Sequence, residues 1–283
     1  MNKENSSMQR LQAVNLEMIK LFIDICRRHD LTYFALGGTL LGAVRHQGFI
    51  PWDDDVDMGM PRPDYEKFLK IAKEELPQAE PAGRYRLRTI ETNDAYRTYI
   101  AKIENLDVKM ARQFYTRQGI AKKEIFAWID VMPIDGMPEE TALLKDHNEA
   151  ILQAKRKLSL SLLDKNMGTS KKRSKKELLI IQAGLKTGAF KLLNVEKMFQ
   201  KFDGLCSRYS YEEAAVVGNT YGVYKEKEFV KKEIFGNGRM YPFEDIEICC
   251  PEDSDAYLKH VYGDYTILPP EEARGGHEIE FVE

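Results

Sequence analysis

The residues best able to do chemistry cluster early in the chain. GGTLLGAVRHQGFIPWDDDVD begins with Gly37, Gly38 and Thr39 and ends in the acids Asp53, Asp54, Asp55 and Asp57. Side chains alternate across a strand, so on a strand over Asp55–Met60 the Asp55 and Asp57 carboxylates point the same way. Two carboxylates ~5 Å apart repel by roughly 3 kcal/mol at an effective dielectric of ~20. A chain that keeps such a pair on one face is expected to hold a cation there. Donors that are all oxygen favour Mg²⁺ or Mn²⁺, whereas zinc prefers sites with His or Cys. A third acid, Asp130, interrupts the apolar run of FAWIDVMP, where an unpaired carboxylate is costly. Neighbouring strands lie ~4.8 Å apart, so Asp130 on an adjacent strand would reach the same ion. Asp55, Asp57 and Asp130 are therefore the candidate metal ligands and catalytic acids. Asp130 is also the candidate acceptor of a hydroxyl proton. Asp53 and Asp54 are expected to support the ligands from behind, and Asp135 to be a turn residue. The competing reading is an exposed acidic loop, with Asp130 a salt-bridged or capping acid.

The glycines bear on anion binding. Gly37 and Gly38 let the backbone approach a phosphate without a Cβ clash. A helix opening at Thr39 presents free N–H groups to an anion, and the Thr39 hydroxyl caps that helix or binds phosphate. This order of glycine turn, helix and D-x-D strand resembles a nucleotidyltransferase-type site. Arg45 either grips a phosphate oxygen through a forked contact or pairs with Asp53 or Asp54 and orders the loop. Lys102, a basic residue in the apolar strand YIAKIEN, is a second candidate for a phosphate. His46 is expected to be structural.

The long string from Gly37 to Asp57 is more specific than either short motif, and it resembles the signature of the LicD family. The tail YLKHVYGDYTILPPEEARGGHE resembles the same family's closing motif, whereas the middle of the chain has no such match. The resemblance implies a phosphotransferase that moves phosphocholine from CDP-choline to a sugar hydroxyl and releases CMP. The implied acceptor is an oligosaccharide or a lipid-linked precursor of teichoic acid or lipopolysaccharide. Fukutin and its related protein carry a divergent version of the domain. A trimethylammonium group is held best by aromatic faces, which makes Trp52, Tyr99, Trp128, Tyr221, Tyr262 and Tyr265 candidates. Arg274 and His277 lie in the tail and are expected to fold back towards the site. Three other readings are a D-x-D glycosyltransferase, a transferase of another CDP-alcohol such as ribitol or glycerol, and a metal-dependent scaffold without activity. The first is disfavoured because the D-x-D comes by residue 57, directly after the glycines.

The elements that must position these residues follow from periodicity. Leu11, Val14, Met18, Leu21, Phe22 and Ile25 recur at helical spacing. A strand over Thr32–Leu36 leads into the glycines, and Thr39–His46 is helical. Pro61 and Pro63 stop the acid-bearing strand, and Asp64 is placed to cap a helix running to Leu76. Strands are expected at Tyr85–Ile90, Tyr96–Ile103, Val108–Phe114 and Phe126–Met132, with a turn at Glu104-Asn105. Residues 139–203 read as helices around an exposed loop, KNMGTSKKRSKKE, and Val216–Tyr224 as a strand or a strand and loop. The expected class is α+β: a mixed sheet flanked by helices, with residues 1–138 as catalytic core. Residues 139–208 form a basic helical subdomain, and residues 209–283 return to complete the core.

Composition excludes several classes. At 283 residues, 43% hydrophobic and 31% charged, the chain can bury a full core. Its net charge of −3 carries no nucleic-acid signal. Cys26, Cys206, Cys249 and Cys250 form no C-x-x-C pair and read as reduced thiols. With a polar N-terminus and no long apolar run, the expectation is a cytoplasmic protein. Lys155–Lys191 is strongly basic, including Lys171, Lys172 and Arg173. It is either a solvated helical face or a peripheral contact with an anionic membrane, where each basic residue adds ~1 kcal/mol.

Overall fold

The computed structural model describes residues 3–92, 96–169, 174–274 and 280–282. Helix α1 (Lys3–Arg28) is followed by the short strand β1 (Phe34–Ala35), helix α2 (Gly37–His46), strand β2 (Asp57–Pro61) and helix α3 (Arg62–Glu75). Strand β3 (Tyr85–Arg88) precedes a long hairpin of β4 (Ala101–Thr116) and β5 (Gly119–Met137). Four helices come next: α4 (Thr141–Ser161), α5 (Leu163–Asn166), α6 (Lys175–Thr187) and α7 (Val195–Cys206). The chain then forms β6 (Val216–Gly218), β7 (Phe229–Lys231) and α8 (Lys232–Phe235). It ends with β8 (Arg239–Phe243), β9 (Ile246–Cys250), α9 (Ser254–Tyr262) and β10 (Glu280–Phe281).

The main sheet runs β1-β2-β5-β4-β10, with β3 also on β4 and β6–β7 extending from β5. It is mixed, since β2 and β5 are parallel and the other pairs antiparallel. Helices flank it, which is the expected α+β arrangement. The apolar stripe of α1 is buried, and Phe22 meets the rings of Tyr33 and Phe68 edge-on at 5.2 Å. A second apolar cluster joins α4 and α7 to the end of β5 through Leu158, Phe202, Met132, Met137 and Tyr221.

Several expectations need correction. Glu104-Asn105 is not a turn: β4 runs through it, with a register shift between Asn105 and Lys109. The Asn105 side chain accepts the Asp107 N–H at 3.1 Å, a local contact that competes with the ladder. Pairing resumes because Ile103, Met110 and Phe114 share one core with Ile125, Ala127 and Ile129. Glu104 itself is buried between Arg86 and Arg88. The strand expected from Tyr96 begins only at Ala101. Asp64 does not cap α3; it accepts the Thr32 N–H at 3.1 Å and so ties α3 to the approach of β1.

Asp135 is not a turn residue either. It is fully buried on β5 and accepts two hydrogen bonds from Arg62, at 2.6 and 3.0 Å. Arg62 also binds Asp203 of α7 at 2.8 Å, and Asp203 accepts the Tyr221 hydroxyl at 2.6 Å. This network fastens the helical middle to the sheet. The basic run is helical as expected, but part of its central loop is not free. Tyr115 N–H donates to Met167 O at 2.8 Å and Thr169 N–H to Gln113 O at 3.1 Å. Lys171, Lys172 and Arg173 lie outside the described residues. Of the two readings of Val216–Tyr224, the structure has the strand and loop: β6 ends at Gly218 and a loop follows.

Candidate active site

Backbone pairing sets the site's floor. Asp57 of β2 is opposite Asp130 of β5, and Lys102 of β4 is opposite Asp130 on its other side. Three adjacent strands therefore present an acid, an acid and a lysine in one row. Asp57 N–H donates to the Thr39 hydroxyl oxygen at 2.9 Å, and Leu36 N–H donates to Asp57 O at 3.0 Å. These two bonds lock the start of α2 onto the start of β2.

The glycines open α2 instead of preceding it. Gly37 has φ +53°, and a Cβ there would stand 2.6 Å from Asp57 Oδ2. A Cβ on Gly38 would fall inside the shell of Asp53 Oδ2. Both carboxylates therefore press against a helix start that no side chain caps. The positive end of a helix stabilises negative charge at that position. Thr39 does not cap the helix; its oxygen serves Asp57.

The carboxylates crowd one another. Asp53, Asp54 and Asp55 each bring an oxygen within 4.8 Å of the others. Asp53 is thus within that distance of Asp55, as Asp54 is. Its carboxyl is pushed up to about 8, by burial first, then by the charge and hydrogen bond of Asp55 and the charge of Asp54. Asp57 is held well above the usual carboxylate range by burial, then by Asp55, Asp130, Asp53 and Glu228. Asp53, Asp55 and Asp57 nevertheless keep part of their surface open to solvent.

Asp130 and Lys102 form a buried ion pair. The other Asp130 oxygen accepts Trp128 Nε1–H at 3.3 Å, and the Lys102 ammonium lies 4.5 Å from the Trp128 ring centre. Burial opposes charge on Lys102, but the Asp130 carboxylate outweighs it and raises the lysine above its ordinary value. Arg45 Nη1 donates to the Tyr265 carbonyl at 2.6 Å, which tethers the tail to α2. The Tyr265 hydroxyl donates to Asp255 at 2.9 Å. Arg274 folds back as expected: its guanidinium stacks 4.6 Å from the Trp52 ring, immediately before the acids. His46 meets the same ring edge-on. His277 lies outside the described residues.

Among the other aromatic candidates, Tyr99 and Tyr221 pack with Phe202 in the second core. Trp128 is committed to Asp130 and Lys102. Tyr262 is different: it meets Tyr224 edge-on at 5.2 Å, and both rings stand in the field of Asp57.

Two residues of this recess escaped sequence reasoning. Glu228 is buried, accepts the Tyr224 N–H at 3.3 Å, and is pushed up to about 7 by burial, against the opposing pull of Tyr224 N–H, Lys155 and Asn219. Within KEKEF it looks like one more solvated charge. The usable signal is GNTYGVY just before it, a stretch whose Asn and glycines mark a tight loop. Asn219 Oδ1 accepts the N–H groups of Tyr221 and Gly222, at 2.9 and 3.0 Å. Lys155 donates to the carbonyls of Thr220, Tyr221 and Gly222 at 3.2, 2.8 and 2.6 Å. Lys155 thus turns inward to hold the loop that carries Tyr224, and is not part of a basic surface.

Comparison with known proteins bears on the same region. The LicD/FKTN/FKRP nucleotidyltransferase domain matches residues 30–139, a span that holds the glycines, all five acids from Asp53 to Asp130, and Lys102. The lipopolysaccharide cholinephosphotransferase LicD of Haemophilus influenzae is 28% identical over 97% of both chains. The human ribitol 5-phosphate transferase FKRP is 27% identical over 40% of this chain and 22% of its own length. An uncharacterised protein of Rickettsia prowazekii is 32% identical over 44% of this chain and 40% of its own. The chain thus carries a LicD/FKTN/FKRP nucleotidyltransferase domain over its acid-bearing part, and it resembles a LicD cholinephosphotransferase from end to end.

Proposed function

We propose that the chain transfers phosphocholine from CDP-choline to a sugar hydroxyl of a cell-surface glycan precursor, oligosaccharide or lipid-linked, and releases CMP. The observation that carries this reading is the acidic cluster at the start of α2, with Asp57 and Asp130 side by side on β2 and β5. End-to-end similarity to a cholinephosphotransferase supports the choice of choline.

The residues fit a hard divalent cation. Their donors are all carboxylate oxygen, three acids share a 4.8 Å neighbourhood, and the carboxyl of Asp57 is raised by burial and, after it, by four other acids. Such crowding is relieved by Mg²⁺ or Mn²⁺. Asp55, Asp57 and Asp53 would hold the ion, with Asp130 beside them. When bound, it would offset negative charge on the diphosphate as the P–O bond breaks. The N-terminal N–H groups of α2 point to the same region and favour an anion. Arg45 has five donors, of which the Tyr265 carbonyl and His46 Nδ1 take two, so its guanidinium can also contact a phosphate oxygen.

Asp130 accepts one hydrogen bond on each oxygen, from Lys102 and Trp128, and each oxygen keeps a second lone pair. Held in this way, it takes the proton of the sugar hydroxyl. The hydroxyl oxygen bonds to the choline-bearing phosphorus, and the bond from that phosphorus to CMP breaks. Tyr224 and Tyr262 supply ring faces near the acids for a trimethylammonium group.

A second reading is a different CDP-alcohol donor, favoured by the similarity to a ribitol 5-phosphate transferase. Incubation with Mg²⁺, an aminosugar oligosaccharide and CDP-choline, CDP-ribitol or CDP-glycerol separates the two. CMP release that requires both acceptor and CDP-choline is the expected result. Release only from CDP-ribitol or CDP-glycerol selects the second reading, and turnover only of nucleotide-sugars overturns both.

A further inference from the structure

The tip of the β4–β5 hairpin and the helices beside it form a surface unlike the rest of the molecule. A groove there is lined by Thr116, Arg117 and Lys123 of the hairpin and by Leu185, Phe190 and Lys191 of the α6 region. Its other lining residues include no acid. Large apolar side chains stand in solvent around it: Ile120 at the hairpin tip is 60% exposed and Leu192, next to Lys191, is 89% exposed.

Helix α6 adds to the same surface. It turns Ile181, Gly184 and Leu185 inward, and its outward side carries Leu179 (68% exposed) and Ile180 (53% exposed) among Lys175, Lys176 and Lys186. A helix whose solvent side is both apolar and basic is in the wrong medium when it faces water. That combination suits the boundary between water and lipid. Apolar groups insert among the acyl chains, and lysines meet anionic headgroups at ~1 kcal/mol each. A protein partner would cover the apolar groups equally well, but an acid-free groove beside an α6 that sets one acid, Glu177, against Lys175, Lys176 and Lys186 matches the charge of an anionic bilayer.

We infer that the hairpin tip, α6 and the segment from Ala189 to Leu192 dock the enzyme on an anionic phospholipid membrane. Docking is by a surface and not by a spanning segment: among the described residues no helix is long and apolar enough to cross a membrane. If the transferase reading also holds, the geometry constrains the acceptor. Ile120 and Asp130 are both on β5, and a strand covers about 30 Å over that length. A lipid-linked acceptor would then be modified on a sugar well above the headgroups.

Flotation of the full chain with vesicles tests this. The expected result is binding to phosphatidylcholine vesicles containing phosphatidylglycerol and none to phosphatidylcholine alone. Reversing Arg117, Lys123 and Lys191 to Glu should weaken that binding by about a hundredfold. Leu192→Asp should weaken it too, and Ile120→Trp should report insertion as a blue shift of its fluorescence. Cleavage of the nucleotide donor with a water-soluble acceptor should be unchanged in each variant, so failure of the docking idea is separable from failure of the transferase reading. Should the triple reversal not fold, Leu192→Asp, at a nearly fully exposed position, carries the test. No flotation with anionic vesicles, or flotation undiminished in the variants, overturns the inference. So does a dimer that Leu192→Asp dissolves without any vesicle binding.

Discussion

Asp57→Asn should stabilise the metal-free protein while destroying its function. Asp57 sits against α2 with Asp55, Asp130, Asp53 and Glu228 around it, and burial first, then the combined field of these acids, raises its carboxyl. Each like-charged neighbour ~5 Å away costs roughly 3 kcal/mol when both are ionised at an effective dielectric of ~20. Partial protonation lowers the actual strain, so about 2 kcal/mol is recovered when asparagine removes one charge. For a chain of this size that is a rise in Tm of roughly 4–8 °C.

The sign with pH follows from Asp53, whose carboxyl is pushed up to about 8 by burial and by Asp55. Its unfolded value is ~3.9, so between these limits the folded state binds more protons. Stability of the metal-free protein therefore falls as pH rises through that window. The advantage of Asp57→Asn in EDTA is thus largest near the top of it. Mg²⁺ reverses the ranking. A ligand at a hundred times its Kd adds ~2.7 kcal/mol to the wild type, and the variant loses most of that gain. Thermal melts of both proteins in EDTA and in Mg²⁺, across the window, measure all of this, alongside CMP release. An Asp57→Asn protein that melts lower than wild type in EDTA, or shows the same shift with Mg²⁺, refutes the reasoning.

Two further substitutions probe the neighbouring structure. Gly38→Ala places a methyl group against the Asp53 carboxylate. It should weaken Mg²⁺ binding at least tenfold by calorimetric titration, while helix preference offsets much of the stability cost, by about 0.5–1 kcal/mol. Asp135→Asn leaves the buried Arg62 guanidinium short of a charge. It should destabilise the fold by about 3–5 kcal/mol, read from urea melts.

The chemistry was legible early because it is written locally. Gly37, Gly38 and Asp53–Asp57 are one short stretch, and closeness along the chain groups the acids: β2 starts only at Asp57, so Asp55 lies in the loop before the strand it was expected to open. Asp130 was legible through a contradiction, an acid in an apolar strand that must find a partner. Helix α1 and the helical middle were legible from periodicity, whereas α8 and α9, in the irregular last part of the chain, were not. Asp135 misled for the same reason that Asp130 did not: near Pro133 and Gly136 it reads as a turn, and its partner Arg62 is remote in sequence. Glu104 misled likewise, since Arg86 and Arg88 reach it only once β3 pairs with β4.

Sequence by itself thus determined the acid-and-glycine motif, the all-oxygen donors of the acidic cluster and the α+β class, because each depends on residue type and on spacing within one element. The tertiary structure alone decided which groups share a field. It set Asp57 beside Asp130, gave Lys102 to Asp130, brought Glu228 and Tyr224 to the recess, and turned Lys155 inward. Strand register and loop return bring together residues far apart in the chain, and the strength of a charge's surroundings depends on distance in space, which no local pattern records.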